Sequence, residues 1–144
     1  ANREILSSER GFGYVLTLGE KSAHTLCILH MTISDFINLI QSASNNMIKF
    51  HIVEIINSWK SDNNTINHLV ANIENYLSLP NNEFIDTYQI ISHQWSIFKE
   101  SAIIPIHGMT VNERLYIFGL LERFDLCNSK DEKSIIYRKV LAKL

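Results

Sequence analysis

From residue 32 onward, apolar residues recur at intervals of three and four, which is the period of an amphipathic helix. Three such helices are predicted in succession, over about 32–41, 47–59 and 65–79. The second is apolar on more than one side, so its apolar residues, Met47 and Phe50 among them, are expected in the centre of the core. The turn-forming stretches SASNN and SDNN separate the three helices.

The helical pattern continues beyond the third helix. A fourth helix is predicted over about 83–100, with Asn81 or Asn82 as its capping residue. The stretch AIIPIHG, residues 102–108, contains a proline and a glycine. These two residues disfavour a regular helix, so an extended linker packed on the core is expected there.

Capping boxes mark three of the predicted helix starts. In this pattern a Ser or Thr side chain bonds to the backbone three residues later, where an acidic side chain bonds back. The pairs are Thr32 with Asp35, Thr110 with Glu113, and Ser129 with Glu132. The last two starts lie within residues 109–144, which therefore predict a compact helical hairpin whose first helix runs to about residue 125.

The N-terminal 31 residues are different in character. Residues 11–19 combine β-branched, aromatic and glycine residues and predict a strand. Residues 22–30 either pair with that strand across the turn GEK or start a helix. The predicted fold is mainly α, a single compact helical bundle of five to six helices with a short N-terminal β-hairpin or an irregular start. Its segments are 1–31 (irregular or hairpin), 32–101 (helical body) and 109–144 (helical hairpin).

Composition indicates one globular domain without metal or disulfide support. The chain has 144 residues, of which 46% are hydrophobic and 19% charged. Cys27 and Cys127 lie among apolar neighbours and share no motif, so buried free thiols are expected. The stretch ANREILSSER does not resemble a signal peptide, and no apolar run approaches the roughly 18 residues that span a bilayer. The expected location is the cytoplasm, with no membrane partner.

Charge is unevenly distributed along the chain. Residues 1–108 contain 6 Lys or Arg against 10 Asp or Glu, whereas residues 109–144 contain 7 against 5. The acidic body suits a basic partner, although ordinary variation in surface charge explains the same counts. A net charge of −2 gives no reason to expect nucleic acid. The best candidates for contacts with DNA lie in the last helix, where basic residues also suit the helix dipole: Lys130, Lys133, Arg138, Lys139 and Lys143.

No motif for catalysis, metal binding or cofactor binding is recognisable. His51 and Glu54 share one helical face, but neither an H-E-x-x-H motif nor a second Glu/His pair accompanies them. A non-enzymatic protein without cofactor is therefore predicted. Aromatic residues near carboxylates are instead candidate contacts with a protein partner. The candidate partner-binding residues are Trp59, Asp62, Glu74, Tyr76, Glu83, Asp86 and Tyr88.

The segment MTVNERLYIFGLLERFD, together with the helix KDEKSIIYRKVLAKL, resembles small bacterial immunity-like proteins that accompany toxin systems. The residues that carry the resemblance are Met109, Asn112, Glu113, Arg114, Leu115, Gly119, Leu120, Phe124 and Asp125. It implies an immunity protein of a contact-dependent growth inhibition system, which binds a cognate toxin domain and occludes its active site. The alternative is an antitoxin or phage-type transcriptional regulator that binds DNA through its C-terminal helices. The sequence does not indicate an oligomeric state.

Overall fold

The structure is a computed structural model of the chain. It describes the backbone of residues 4–6, 15–17 and 26–28 and, with side chains, residues 30–43, 45–79 and 83–143. The predicted capping residues Asn81 and Asn82 and the side chain of Cys27 lie outside these described residues.

The N-terminal segment contains a three-stranded antiparallel sheet. Its strands are β1 (Glu4–Leu6), β2 (Val15–Thr17) and β3 (Leu26–Ile28), in that spatial order. Leu16 pairs with Cys27 across the predicted hairpin and with Ile5 on the other side. The β2–β3 pair corresponds to the hairpin that the sequence offered as one of its alternatives, and the sheet has a first strand that the sequence did not reveal.

Seven α-helices follow within the described part of the chain, so the mainly α prediction is confirmed. They are α1 (Ile33–Ile40), α2 (Asn46–Ser61), α3 (Ile66–Leu77), α4 (Ile85–Phe98), α5 (Val111–Ile117), α6 (Leu121–Asp125) and α7 (Lys130–Lys139). Two of the three predicted capping boxes are complete, those that begin α1 and α5. At α7, Ser129 Oγ accepts from the Glu132 amide, but the Glu132 carboxylate accepts from the amide of Asn128, one residue earlier than expected.

The prediction of an extended linker at residues 102–108 was wrong. A π-helical turn, Lys99–Ile103, and a 3₁₀-helix, Ile104–Gly108, continue directly from α4. Pro105 has no N–H with which to bond the carbonyl of Ser101, as an α-helix would require. His30 Nδ1 lies 2.5 Å from that carbonyl oxygen, and the amide of Met31 donates to Ser101 Oγ at 2.8 Å. The chain therefore remains helical through the proline because the entrance to α1 satisfies the freed carbonyl.

The single helix expected over residues 110–125 is divided into α5 and α6. Gly119 adopts a left-handed conformation with φ +67°. Its amide donates to Tyr116 O, and the amide of Leu120 donates to Leu115 O at 2.8 Å. This pair of bonds is a Schellman motif, which ends a helix and favours glycine at the left-handed position. The chain thus has more helices than the five or six predicted.

A row of aromatic rings crosses the core and joins four helices. Phe36 of α1 lies between Trp95 and Phe98 of α4, with ring centroids 5.5 and 5.8 Å away. Phe98 contacts Phe118 at the end of α5, which in turn contacts Trp59 of α2 at 5.9 Å. All five rings are buried. The core is therefore continuous from α1 to the C-terminal segment, with no separate hairpin core.

Candidate partner-binding surface

A groove runs between α2 and α3 on the outside of the bundle. Its volume is about 340 Å³. Its lining residues are His51, Glu54, Ile55, Ser58, Trp59, Asp62, Asn72 and Tyr76. We call it the α2–α3 groove. Three of the seven predicted partner-binding residues, Trp59, Asp62 and Tyr76, belong to it.

Two large apolar side chains lie exposed on α2 beside this groove. Met47 is 69% exposed and Phe50 is 58% exposed, which contradicts their expected place in the core. The helix buries Ile48, Ile52 and Ile56, which recur every four residues. At 100° per residue, Met47 and Phe50 point away from this row and share a face with Glu54.

Tyr76 forms the far wall of the groove and is held on both sides. Its hydroxyl lies 3.0 Å from Nδ1 of His51, and the two rings meet edge to face at 5.6 Å. Tyr88 of α4 packs on its other side, with ring centroids 6.2 Å apart. Burial, the neighbouring Tyr88 and the hydrogen bond to it raise the pKa of Tyr76 to about 12. Tyr76 is thus a neutral, fixed phenol that joins α2, α3 and α4.

Three polar side chains at the groove have no described hydrogen-bond partner. They are Glu54 and Ser58 on α2 and Asn72 on α3; in the described part of the chain, no side chain pairs with any of them. Asp62 differs, because its carboxylate accepts from Lys139 Nζ at 2.9 Å and from both the amide and the side chain of Asn64. Glu54 therefore supplies the unpaired negative charge of the groove.

Trp59 is a core residue and does not offer an exposed ring. It is 1% exposed, and its indole N–H donates to Thr65 O at 2.9 Å. The ammonium group of Lys139 lies 4.1 Å from the ring centroid. Trp59 contributes to the groove as part of its floor, together with Ile55.

Two cations from the C-terminal segment hold the turn between α2 and α3. Lys139, which is fully buried, donates to Asp62 O at 3.0 Å and to Asn64 O at 2.9 Å, in addition to the Asp62 carboxylate. Arg123 donates to the carbonyls of Lys60 and Asp62 at 2.6 Å. Burial alone would raise the pKa of Asp62, but the hydrogen bonds from Lys139 and Asn64 outweigh it and lower that pKa. One end of the groove is thus fixed by α6 and α7.

The other predicted partner-binding residues lie outside the groove. Glu74 faces α4, where its carboxylate pairs with Lys99 and accepts from the indole of Trp95. Glu83 and Asp86 are exposed at the start of α4. Tyr88 does not line the groove but contacts its residue Tyr76. The sequence placed Tyr76 among the candidate partner-binding residues but did not place Met47, Phe50, His51 and Glu54 there. The signal that separates the two faces of α2 is the four-residue spacing of its buried isoleucines.

The basic residues proposed for DNA contacts are not presented as one face. Lys139 is buried, and Lys133 lies over the Phe124 ring, 5.4 Å from its centroid. Lys130 and Arg138 are exposed. Cys127 is a free thiol that is half-buried, and not fully buried as expected.

Two features are absent from the described residues. No group of three His, Cys, Asp or Glu side chains there is placed to share a metal ion. None of the helices in the same residues has both the length and the apolarity needed to cross a bilayer.

Comparisons with known proteins give no match to this chain among protein-family models, curated proteins or solved structures.

Proposed function

We propose that this chain is a protein-binding module, and more specifically a cytoplasmic immunity protein that neutralises a cognate bacterial toxin domain. The observation that carries the proposal is the surface on α2, where exposed Met47 and Phe50 adjoin the α2–α3 groove and its unpaired Glu54. Large apolar side chains exposed next to polar, rigid structure are typical of protein interfaces. The resemblance of residues 109–125 to immunity-like proteins supports the finer assignment.

Inhibition would be by occlusion, with the α2 surface covering the toxin's active site. The surface suits this role because its supporting helices are tied together by Tyr76 and by the turn that Lys139 and Arg123 hold. A preorganised surface loses little conformational entropy on binding. The carboxylate of Glu54 and the acidic balance of residues 1–108 favour a basic face on the toxin domain.

The test begins with affinity purification from the source cell and mass spectrometry of co-eluting proteins. We expect a stoichiometric complex with the C-terminal domain of a large secreted protein, and growth protection when that domain is co-expressed with this chain. Co-elution of nuclease-sensitive DNA in place of a protein would favour the regulator alternative and refute the immunity proposal.

A matched pair of variants then tests the surface. Phe50→Ser should weaken toxin-domain binding at least tenfold by calorimetry and abolish growth protection, because truncating an aromatic hot-spot residue costs about 2 kcal/mol or more. Tyr116→Ser is the control, since Tyr116 is 64% exposed on α5, outside the groove. Equal effects of the two variants would exclude the α2 surface as the interface.

A further inference from the structure

We infer that the α2–α3 groove is a pocket for a single arginine side chain, supplied by the partner protein. The inference rests on the proposed function only for the identity of the protein that supplies the arginine. The fit between the groove and an arginine side chain does not depend on that function. It deepens the proposal by assigning the groove the specific task of receiving a guanidinium group.

The shape and lining of the groove fit a side chain with an apolar stem and a cationic end. Ile55 and Trp59 form an apolar floor, and the phenol ring of Tyr76 forms one wall. Long basic side chains commonly pack their methylene groups against such surfaces while the charged end remains at the rim. A volume of about 340 Å³ admits one side chain and does not admit a helix.

The unpaired polar groups at the rim favour arginine over lysine. Glu54 offers a carboxylate, Ser58 a hydroxyl and Asn72 an amide carbonyl, and they lie on two different helices. A guanidinium group has five N–H donors in one plane and can donate to several such acceptors at once. An ammonium group is more strongly hydrated and has neither the plane nor the spread of donors.

The fold already contains one cation held by the same kind of chemistry. Lys139 places its ammonium group 4.1 Å from the Trp59 ring centroid and pairs with the Asp62 carboxylate at 2.9 Å. Because that carboxylate is occupied, an incoming cation pairs with Glu54, about two helical turns earlier on α2. Of the two carboxylates that line the groove, Asp62 is thus neutralised by Lys139, and Glu54 is left to pair with a second cation.

The test uses a probe that does not require the partner. Nα-acetyl-arginine methylamide is titrated into the full chain and followed by ¹H–¹⁵N NMR. The chain has two tryptophans, so two indole signals report on two places. The Trp59 indole adjoins the groove floor, and the Trp95 indole donates to Glu74 on the α4 side. We expect saturable shifts at Trp59 and at the Asn72 side-chain amide, with the Trp95 signal unchanged.

Controls separate charge, shape and position. The citrulline analogue is a neutral isostere of the arginine probe and should bind at least about threefold more weakly, because it cannot form the ion pair with Glu54. Glu54→Gln should weaken arginine binding about threefold to fivefold, the range of an exposed ion pair. Glu122→Gln changes an exposed carboxylate on α6 outside the groove and should leave the affinity for the arginine probe unchanged.

The outcomes that overturn the inference are distinct from those that overturn the proposed function. A lysine analogue, Nα-acetyl-lysine methylamide, is titrated in the same way and should bind more weakly than the arginine probe. Absence of saturable shifts, equal binding of the citrulline analogue, or equally tight binding of the lysine analogue would each refute the arginine pocket. If the arginine pocket is refuted but a toxin domain is captured and its binding requires Phe50, the immunity proposal still stands. Conversely, a probe that binds with Glu54 dependence, in a protein that captures no toxin domain, keeps the pocket and removes the proposed function.

Discussion

Replacing Lys139 by methionine should be among the most destabilising single changes in the chain. The ammonium group is fully buried and donates to three acceptors: the carbonyls of Asp62 and Asn64 and the carboxylate of Asp62. Methionine preserves most of the methylene packing but provides no donor. The variant therefore isolates the loss of the ammonium group from the loss of side-chain volume.

The size of the effect follows from two opposing contributions. Removing one partner of a buried ion pair costs about 3–5 kcal/mol. Burial lowers the pKa of Lys139, and the hydrogen bond that Lys139 donates to Asp62 opposes this shift. Desolvation is therefore expected to offset part of the favourable interaction. The Asp62 side chain is 36% exposed, so water can hydrate its carboxylate once the lysine is gone. We therefore expect about 3 kcal/mol, or a decrease in Tm of about 10 °C for a chain of this length.

Urea unfolding, monitored by circular dichroism, measures how far Lys139→Met lowers the free energy of unfolding. Lys130→Met is the control. Lys130 lies exposed on the same helix, and its replacement should change the free energy of unfolding by less than about 0.5 kcal/mol. In an Asp62→Asn background the Lys139→Met cost should be smaller, because the ion pair is already lost and only the two backbone carbonyls remain as acceptors of full strength. A Lys139→Met effect no larger than the control's would refute this account of the turn.

Three further predictions concern other parts of the fold. Gly119→Ala should destabilise the protein by about 1–2 kcal/mol in urea unfolding, because φ is +67° there, whereas Gly108→Ala, with open space around its Cβ position, should be neutral or better. Arg114→Met should cost about 2–3 kcal/mol, because this buried side chain donates to two carbonyls that end α7; retained amide-exchange protection in α7 would contradict this. The Lys99 hydrogen bond lowers the pKa of Glu74 below its ordinary value of 4.5, so the unfolded chain binds more protons as the pH falls below 4.5 and stability is lost. Glu74→Gln should flatten that acid dependence between pH 5 and 3, and an unchanged slope would exclude Glu74 as a contributor.

Local sequence rules were sufficient where a structure depends on neighbouring residues. The Thr32 and Thr110 capping boxes bond within three residues, so their spacing alone determined where α1 and α5 begin. The Schellman motif at Gly119 is also local, but glycine within an otherwise helical pattern does not by itself indicate a break. Only the left-handed conformation in the structure distinguishes a helix end there from a tolerated glycine.

Features that depend on distant residues could not be predicted. The helix continues through Pro105 because His30, which is 71 residues from Ser101 in the chain, lies against the freed carbonyl. Burial of Lys139 depends on a turn 77 residues earlier. The exposed face of α2 could have been predicted from the sequence, since the spacing of its isoleucines places Met47 and Phe50 away from the core side. A count of apolar residues hid that difference, so Met47 and Phe50 were not predicted to lie on the surface.

The residues that carry the resemblance to immunity-like proteins are engaged mainly in building the C-terminal segment. Glu113 caps α5, Arg114 bonds the end of α7, and Gly119 divides α5 from α6. Such roles constrain the fold of residues 109–144 and leave little of that motif free to select a partner. Recognition of one toxin among several would instead need side chains that no structural role fixes. Phe50 and Glu54 on α2 meet that condition, and the C-terminal segment acts on them only by holding the turn at which α2 ends. Partner choice should therefore change with substitutions on α2 and remain unchanged when the exposed residues of α5 to α7 are replaced.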